Sequence, residues 1–142
     1  MGDQKVRSRV IVCGGRHFDD YTRLSAEIDG VVESLGIQRK ELEIVSGHCA
    51  GTDQMGERYA EEHEIDCKVF PAEWKKYGRA AGPIRNSQMI DYAAESMLPV
   101  VVAFVSPKSK GTMDTVSKAR RKGFKVFIVP YGGVDERKAK KT

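Results

Sequence analysis

The chain is poor in the features that mark several large classes of protein. No apolar run approaches the ~18 residues of a membrane-spanning helix, and Met1 to Arg9 is polar and charged, without the apolar core of a secretory signal. The expected compartment is therefore the cytoplasm, with no membrane partner. There are only three cysteines among 142 residues, Cys13, Cys49 and Cys67. They are widely spaced and form no C-x-x-C, so neither a disulfide framework nor a zinc site is indicated. The G-x-G-x-x-G dinucleotide fingerprint and the G-x-x-x-x-G-K-[ST] phosphate loop are both missing, and the three histidines, His17, His48 and His63, are scattered. No cofactor or metal follows from the residues, nor does Walker-type triphosphate hydrolysis or a serine, histidine and aspartate triad.

Charge of one sign is also scarce. The net charge is +4, and Val134 to Thr142, with four basic and two acidic residues, supplies half of it. Such a mild excess suits an anionic small ligand better than a dense duplex-binding face. With 40% hydrophobic and 31% charged residues, the chain has globular proportions and the length of one domain. That domain is expected over residues 1–133, with 134–142 as a basic, disordered tail.

Short apolar segments alternate with helical periodicity five times. Val10 to Cys13 reads as a strand ending at Gly14 and Gly15. Leu24, Ile28, Val31, Val32 and Leu35 recur at helical spacing, with Asp19 or Asp20 as N-cap and Gly36 as stop. A strand around Ile44 and Val45 leads to a helix whose inner face is Met55, Tyr59, Ala60 and His63. Cys67 to Phe70 reads as a third strand, and residues 72–81 as a long connection. A third helix is expected to start with Pro83 in its first position and to run to about Ser96. Val100 to Val105 reads as a central strand. A helix from Thr112 to about Lys122 follows, with Met113, Val116 and Ala119 on one face, and then a strand from Phe124 to Val129. This order predicts an α/β, Rossmann-like, doubly wound fold: a mainly parallel five-stranded sheet with helices on both faces.

In such sheets ligands bind beyond the carboxyl ends of the strands, where this chain places its glycine and polar clusters. Gly14, Gly15 and Arg16 read either as an anion-approach loop or as a strand-ending turn. In Gly47 to Asp53, which includes Gly51, Thr52 reads first as a helix cap, and Asp53 as an acceptor for sugar hydroxyls or as dipole compensation. Arg85 and Asn86 follow Gly82 and Pro83, and a cation in a first helical turn opposes the dipole unless an anion offsets it. Either a carboxylate or a phosphate would serve, and the converging loops favour phosphate. Trp74 either stacks on a base or roofs the core. Gly111 and Thr112, with Lys108 and Lys110 beside them, form a second phosphate locus. The run Lys118, Arg120, Arg121, Lys122 and Lys125 reads as a solvated face and is the feature most favourable to nucleic acid.

Together, Val12 to Arg16, Ser46 to Asp53, Trp74, Gly78 Arg79 Ala80 Ala81 Gly82 Pro83 Ile84 Arg85 Asn86, and Gly111 Thr112 resemble the SLOG superfamily, in its YspA and YpsA-related branch, over about Arg9 to Val129. The string from Gly78 to Asn86 is the specific part. The resemblance implies a Rossmann-like domain, a homodimer, and a nucleotide or nucleotide-derived ligand such as a nucleoside monophosphate or an NAD- or ADP-ribose-like molecule. Relatives include the Lonely Guy phosphoribohydrolases, DprA proteins and sensors of NAD-derived signals. By position, Arg85 is similar to an arginine of the Lonely Guy enzymes and Gly111 Thr112 to the end of their P-G-G-x-G-T-x-x-E loop. Ser106 to Lys110 lacks the paired glycines, and Thr115 stands where that motif has its catalytic glutamate. A threonine cannot act as a carboxylate base, so the expected function is binding, as sensor, carrier or sequestering protein. Arg16, Arg85 and the amides near Gly111 and Thr112 would hold phosphate, with Asp53 and Asn86 on ribose and Trp74 at the base. Gly14, Gly15, Gly47, Gly51, Thr52, Arg79, Gly82 and Lys110 complete the expected ligand set. The alternatives are an N-glycosidase using Asp53 or Asp114, and a single-strand DNA binder.

Overall fold

The computed structural model describes residues 6–132; the basic tail expected at 134–142 lies outside them. Five parallel strands run in the order β3-β2-β1-β4-β5. They are β1 Ser8–Gly14, β2 Leu42–Ser46, β3 Asp66–Val69, β4 Val100–Val105 and β5 Lys125–Pro130. The helices are α1 Tyr21–Leu35, α2 Thr52–Glu62, the single turn α3 Trp74–Tyr77, α4 Ala81–Ala94 and α5 Lys110–Arg121. No helix among the described residues is long and apolar enough to cross a membrane.

The unbroken apolar runs in β1 and β4 are explained by burial on both faces. Val10 and Val12 point into a core with Leu24 and Ile28 of α1 and Tyr59 and Ala60 of α2. Ile11 and Cys13 point the other way, onto Met89, Ile90 and Ala93 of α4 and Val116 and Ala119 of α5. A parallel strand with no solvent face has no reason to alternate polarity. The chain order reverses between β1 and β4, which pair from Val10 with Val100 to Gly14 with Phe104. Loops leaving those two strands diverge there and open a crevice.

The caps expected for α1 are found, and several other local expectations are corrected. Asp20 caps α1 by accepting from the Arg23 N–H at 3.0 Å, and Gly36 ends it at φ 69°. Thr52 does not cap α2. Gly51 holds that position at φ 81°, where an L side chain is strained, and the Thr52 hydroxyl instead donates to the Gly15 carbonyl at 2.9 Å. His63 ends α2, with its ring tilted at 44° against that of Tyr59, and is not part of the inner face. The connection at 72–81 is largely ordered as α3 and a 3-10 turn, Gly78–Ala80. That turn runs straight into α4, because the Ala81 N–H bonds the Gly78 carbonyl. Pro83 is therefore the third residue of the helix and Arg85 the fifth, two residues deeper than expected. In α5, Thr112, Thr115, Val116 and Ala119 form the buried face, whereas Met113 is exposed.

Helix α2 lies close on β1 because Gly56 carries no side chain: a Cβ there would sit 2.9 Å from Cβ and Cγ1 of Val12. Gly56→Ala is expected to cost about 1 to 3 kcal/mol through overpacking. Combined with Val12→Ala it should cost clearly less than the two singles added, as a denaturant double-mutant cycle would measure.

Candidate functional site

The crevice at the β1/β4 reversal is a cleft of about 470 Å³. Its walls come from the four loops that follow β1, β2, β3 and β4. Gly14, Gly15 and Arg16 line it from β1; Asp53 from α2; Trp74 from α3; and Gly82, Arg85 and Asn86 from α4. Lys110, Gly111 and Thr112 line it from the start of α5. Four expected residues lie outside the lining. Gly47 and Gly51 serve close packing behind the wall: a Cβ at Gly47 would sit 2.6 Å from Arg85 Nη1, and one at Gly51 would collide with the Arg16 carbonyl. Thr52 ties the β1 turn to α2 through its bond to Gly15. Arg79 is exposed in the 3-10 turn.

Arg85 dominates the electrostatics. Its residue is only 8% exposed, yet no acid comes within ion-pair distance of it among the described residues. Nε donates to Asn86 Oδ1 at 2.9 Å and Nη1 to the Gly47 carbonyl at 2.6 Å. Beyond these, the guanidinium finds only the Cys49 sulfur, 3.8 Å from Nη1 and from Nη2. A guanidinium has five N–H donors, so Nη2 is left with a weak sulfur contact on the side of the cleft. The dipole argument that first singled out this residue does not apply at its true position. What distinguishes it is burial of a cation that feels the Asp53 carboxylate electrostatically yet makes no ion pair with it.

Asp53 faces the same space, 5% exposed. Burial pushes its carboxyl up to about 6, against the opposing pull of the Cys49 N–H, which it accepts at 3.3 Å, and of the Arg85 guanidinium. Asp53 and Arg85 flank Gly47, whose missing Cβ would also lie 2.9 Å from Asp53 Oδ2. The other acidic candidate behaves differently. Asp114 is outside the cleft lining, and although burial raises its carboxyl, hydrogen bonds from Lys118 at 2.8 Å and Asn86 at 3.0 Å outweigh that and hold it below the usual range. It is therefore a poor proton carrier and a good anchor. Because Asn86 Nδ2 donates both to Asp114 and to the Gly111 carbonyl, its Oδ1 is turned toward Arg85.

The lining also includes Lys108, expected beside Gly111 and Thr112, and residues that sequence reasoning did not select for it: Cys13, His17, Cys49, Met89, Ser109 and Thr115. Two had a usable signal. Met89 and Thr115 stand four and three residues beyond Arg85 and Thr112, one turn along the same helix face. Ser109 holds the N-cap position of α5, but its hydroxyl accepts the Ser106 N–H at 2.9 Å instead of capping the helix. Thr115, 1% exposed, puts a hydroxyl where the Lonely Guy motif has its glutamate. Among the described residues no group of three or more His, Cys, Asp or Glu side chains is placed to hold a metal ion.

Comparison with known proteins agrees with this architecture. Residues 8–77 match the family model described as YspA, cpYpsA-related SLOG family. The Gene 61 protein of Mycobacterium phage D29 is 28% identical over 124 residues, spanning 84% of this chain and 94% of that protein. Among solved structures, DNA processing protein A (DprA) from Streptococcus pneumoniae superposes with a TM-score of 0.64 at 18% identity, over 90% of this chain. The chain spans about half the length of that structure, 52%.

Proposed function

Residues 8–77 of this chain belong to the YspA and cpYpsA-related SLOG family, and on that premise we propose that the cleft binds a phosphorylated nucleoside or nucleotide-derived molecule, of the nucleoside monophosphate or ADP-ribose kind. The observation that carries this reading is the buried Arg85, which makes no ion pair among the described residues, lining a cleft of about 470 Å³. A buried charge that is only partly compensated is costly, and a phosphate reaching Nη2, which meets only the Cys49 sulfur, offsets that cost through charge-assisted hydrogen bonds. Arg16, Lys108 and Lys110, all exposed on the rim, add attraction. The amides at the start of α5 lie at the positive end of a helix of 12 residues. Asp53 is the acceptor for ribose hydroxyls, with Asn86 beside it, and the exposed Trp74 is the ring available to a base. The protein acts as sensor, carrier or sequestering protein.

A second reading rests on Asp53 alone. A carboxyl at about 6 in a nucleotide cleft suits a general acid or base, which keeps N-glycosidic cleavage in play. Free base or ribose phosphate in the reaction mixture would distinguish cleavage from binding.

The test is a thermal-shift screen with AMP, NAD, ADP-ribose and cyclic nucleotides. A ligand present at 100 times its Kd should add about 2.7 kcal/mol by mass action, which is a shift of several degrees. Gly47→Ala is the paired control. Its methyl group would press on Arg85 Nη1 and Asp53 Oδ2 at once, and the expected outcome is a folded protein whose ligand-induced shift is largely gone. No shift with any of these compounds, at millimolar concentration, would sink the reading.

A further inference from the structure

Helices α4 and α5 pack on the same face of the sheet but do not close fully along their outer edge. Ser87, Ile90 and Asp91 of α4 stand at i, i+3 and i+4, and Lys118 and Arg121 of α5 with Lys122 at its C-cap repeat that spacing opposite them. The two ridges enclose a groove of about 260 Å³ with the buried Ile90 as its floor. Asp91 faces three cations, yet it forms no ion pair with any of them, and among the described residues the side chains of Arg121 and Lys122 have no hydrogen-bond or ion-pair partner either. Lys118 is paired with Asp114, which Arg121 also feels, so Arg121 and Lys122 against Asp91 leave the groove with a small surplus of positive charge.

We propose that this groove is a second binding site, for a small phosphate-bearing molecule. The chemistry of the walls is divided along its width. Arg121 and Lys122 supply the charge and donors that recognise phosphate, while the Ser87 hydroxyl and the Asp91 carboxylate supply the donor and acceptors that recognise hydroxyl groups. A phosphate ester of a polyhydroxylated molecule matches both halves, and bare inorganic phosphate matches one.

Lys118 connects the groove to the cleft. Its Nζ donates to the Pro83 carbonyl at 2.9 Å and to Asp114 Oδ2 at 2.8 Å. Asp114 in turn holds Asn86, and Asn86 holds Arg85 Nε. An anion in the groove draws on the same ammonium that anchors Asp114, so groove occupancy loosens the support of Arg85 and weakens anion binding in the cleft. By linkage, the reverse holds to the same degree. The groove site stands on its own lining; only this coupling rests on the cleft reading above.

The experiment is an amide NMR titration of the full chain with ribose 5-phosphate and, separately, with inorganic phosphate, using the parent, Arg121→Ala/Lys122→Ala and Gly47→Ala. Both replaced cations are exposed, so the double variant should keep its fold. Saturable shifts at Ser87, Ile90, Asp91 and Arg121 are expected in the parent and in Gly47→Ala, with ribose 5-phosphate tighter than phosphate, and about tenfold or more weaker in the double variant. In the parent, groove shifts without cleft shifts would count against the cleft reading and leave this site standing; in Gly47→Ala that pattern is the expected one. The site is refuted if shifts at α4 and α5 never saturate, if they are equal in the double variant, or if they appear only with a dT12 oligonucleotide and collapse steeply with salt. That last pattern is the mark of a nucleic-acid surface.

Discussion

Asp53→Asn should make the protein more stable at pH 7.5, by about 2 to 3 kcal/mol, while removing ligand affinity. The reasoning follows the proton. In the unfolded chain this carboxyl ionises near 3.8; in the fold, burial lifts it to about 6, with the Cys49 N–H and Arg85 working against burial. Below about 4 both states carry the proton and Asp53 imposes no penalty. Between the two values the folded state binds a proton that the unfolded state has lost, so stability falls as pH rises. Above about 6 both are ionised, and the fold bears the full cost of a desolvated carboxylate. Asparagine keeps an oxygen to accept the Cys49 N–H and carries no charge. Urea unfolding at pH 7.5 and at pH 4 should therefore show a gap between variant and parent that is large at the first and nearly closed at the second. A gap of equal size at both would mean that the carboxylate is not penalised by burial. A residue that destabilises its own fold in a cleft is a familiar trade of stability against function.

The same residue illustrates what the sequence could and could not disclose. The sheet was legible because β1 and β4, as central strands buried on both faces, have to be apolar throughout, and because the helices keep a 3.6-residue period wherever one side meets that sheet. The convergence of glycine and polar clusters on one edge followed from the topology alone. The roles within the clusters did not. Thr52, read as a helix cap, proves to be a strut to Gly15, since capping preferences are local statistics and a partner 37 residues away in sequence overrides them. Arg85 was singled out through a helix start placed two residues late, because Pro83 at the first position is a general preference that the 3-10 turn at Gly78–Ala80 supersedes. Asp53 gave no hint of its raised carboxyl, because desolvation depends on what surrounds a group in space and leaves no trace in the residues beside it in the chain. Asp114 was weighed as a replacement acid, yet Lys118, four residues on, already marked it as one half of an i, i+4 ion pair.

Replacing Arg85 should have the largest effect of any substitution in the cleft, and the comparison of Arg85→Lys with Arg85→Ala separates its charge from its shape. Alanine leaves the Gly47 carbonyl and Asn86 Oδ1 without the donors they have now, and deprives Asp53 of the cation that restrains it. Stability should fall by about 2 to 4 kcal/mol at pH 7.5, and the Asp53 carboxyl, followed by its 13C resonance, should titrate above its value in the parent, because loss of a nearby positive charge favours the neutral acid. Lysine restores the charge, so Asp53 should return toward about 6. Yet an ammonium on a flexible stem does not reproduce the planar fork that meets Asn86 and Gly47 together and still offers Nη2 to the cleft. Binding of AMP or ADP-ribose by calorimetry should accordingly be about 10- to 100-fold weaker in the lysine variant and undetectable in the alanine variant. Should Arg85→Ala bind either compound as tightly as the parent, the anion is gripped elsewhere, and Arg16, Lys108 and Lys110 on the rim become the groups to replace next.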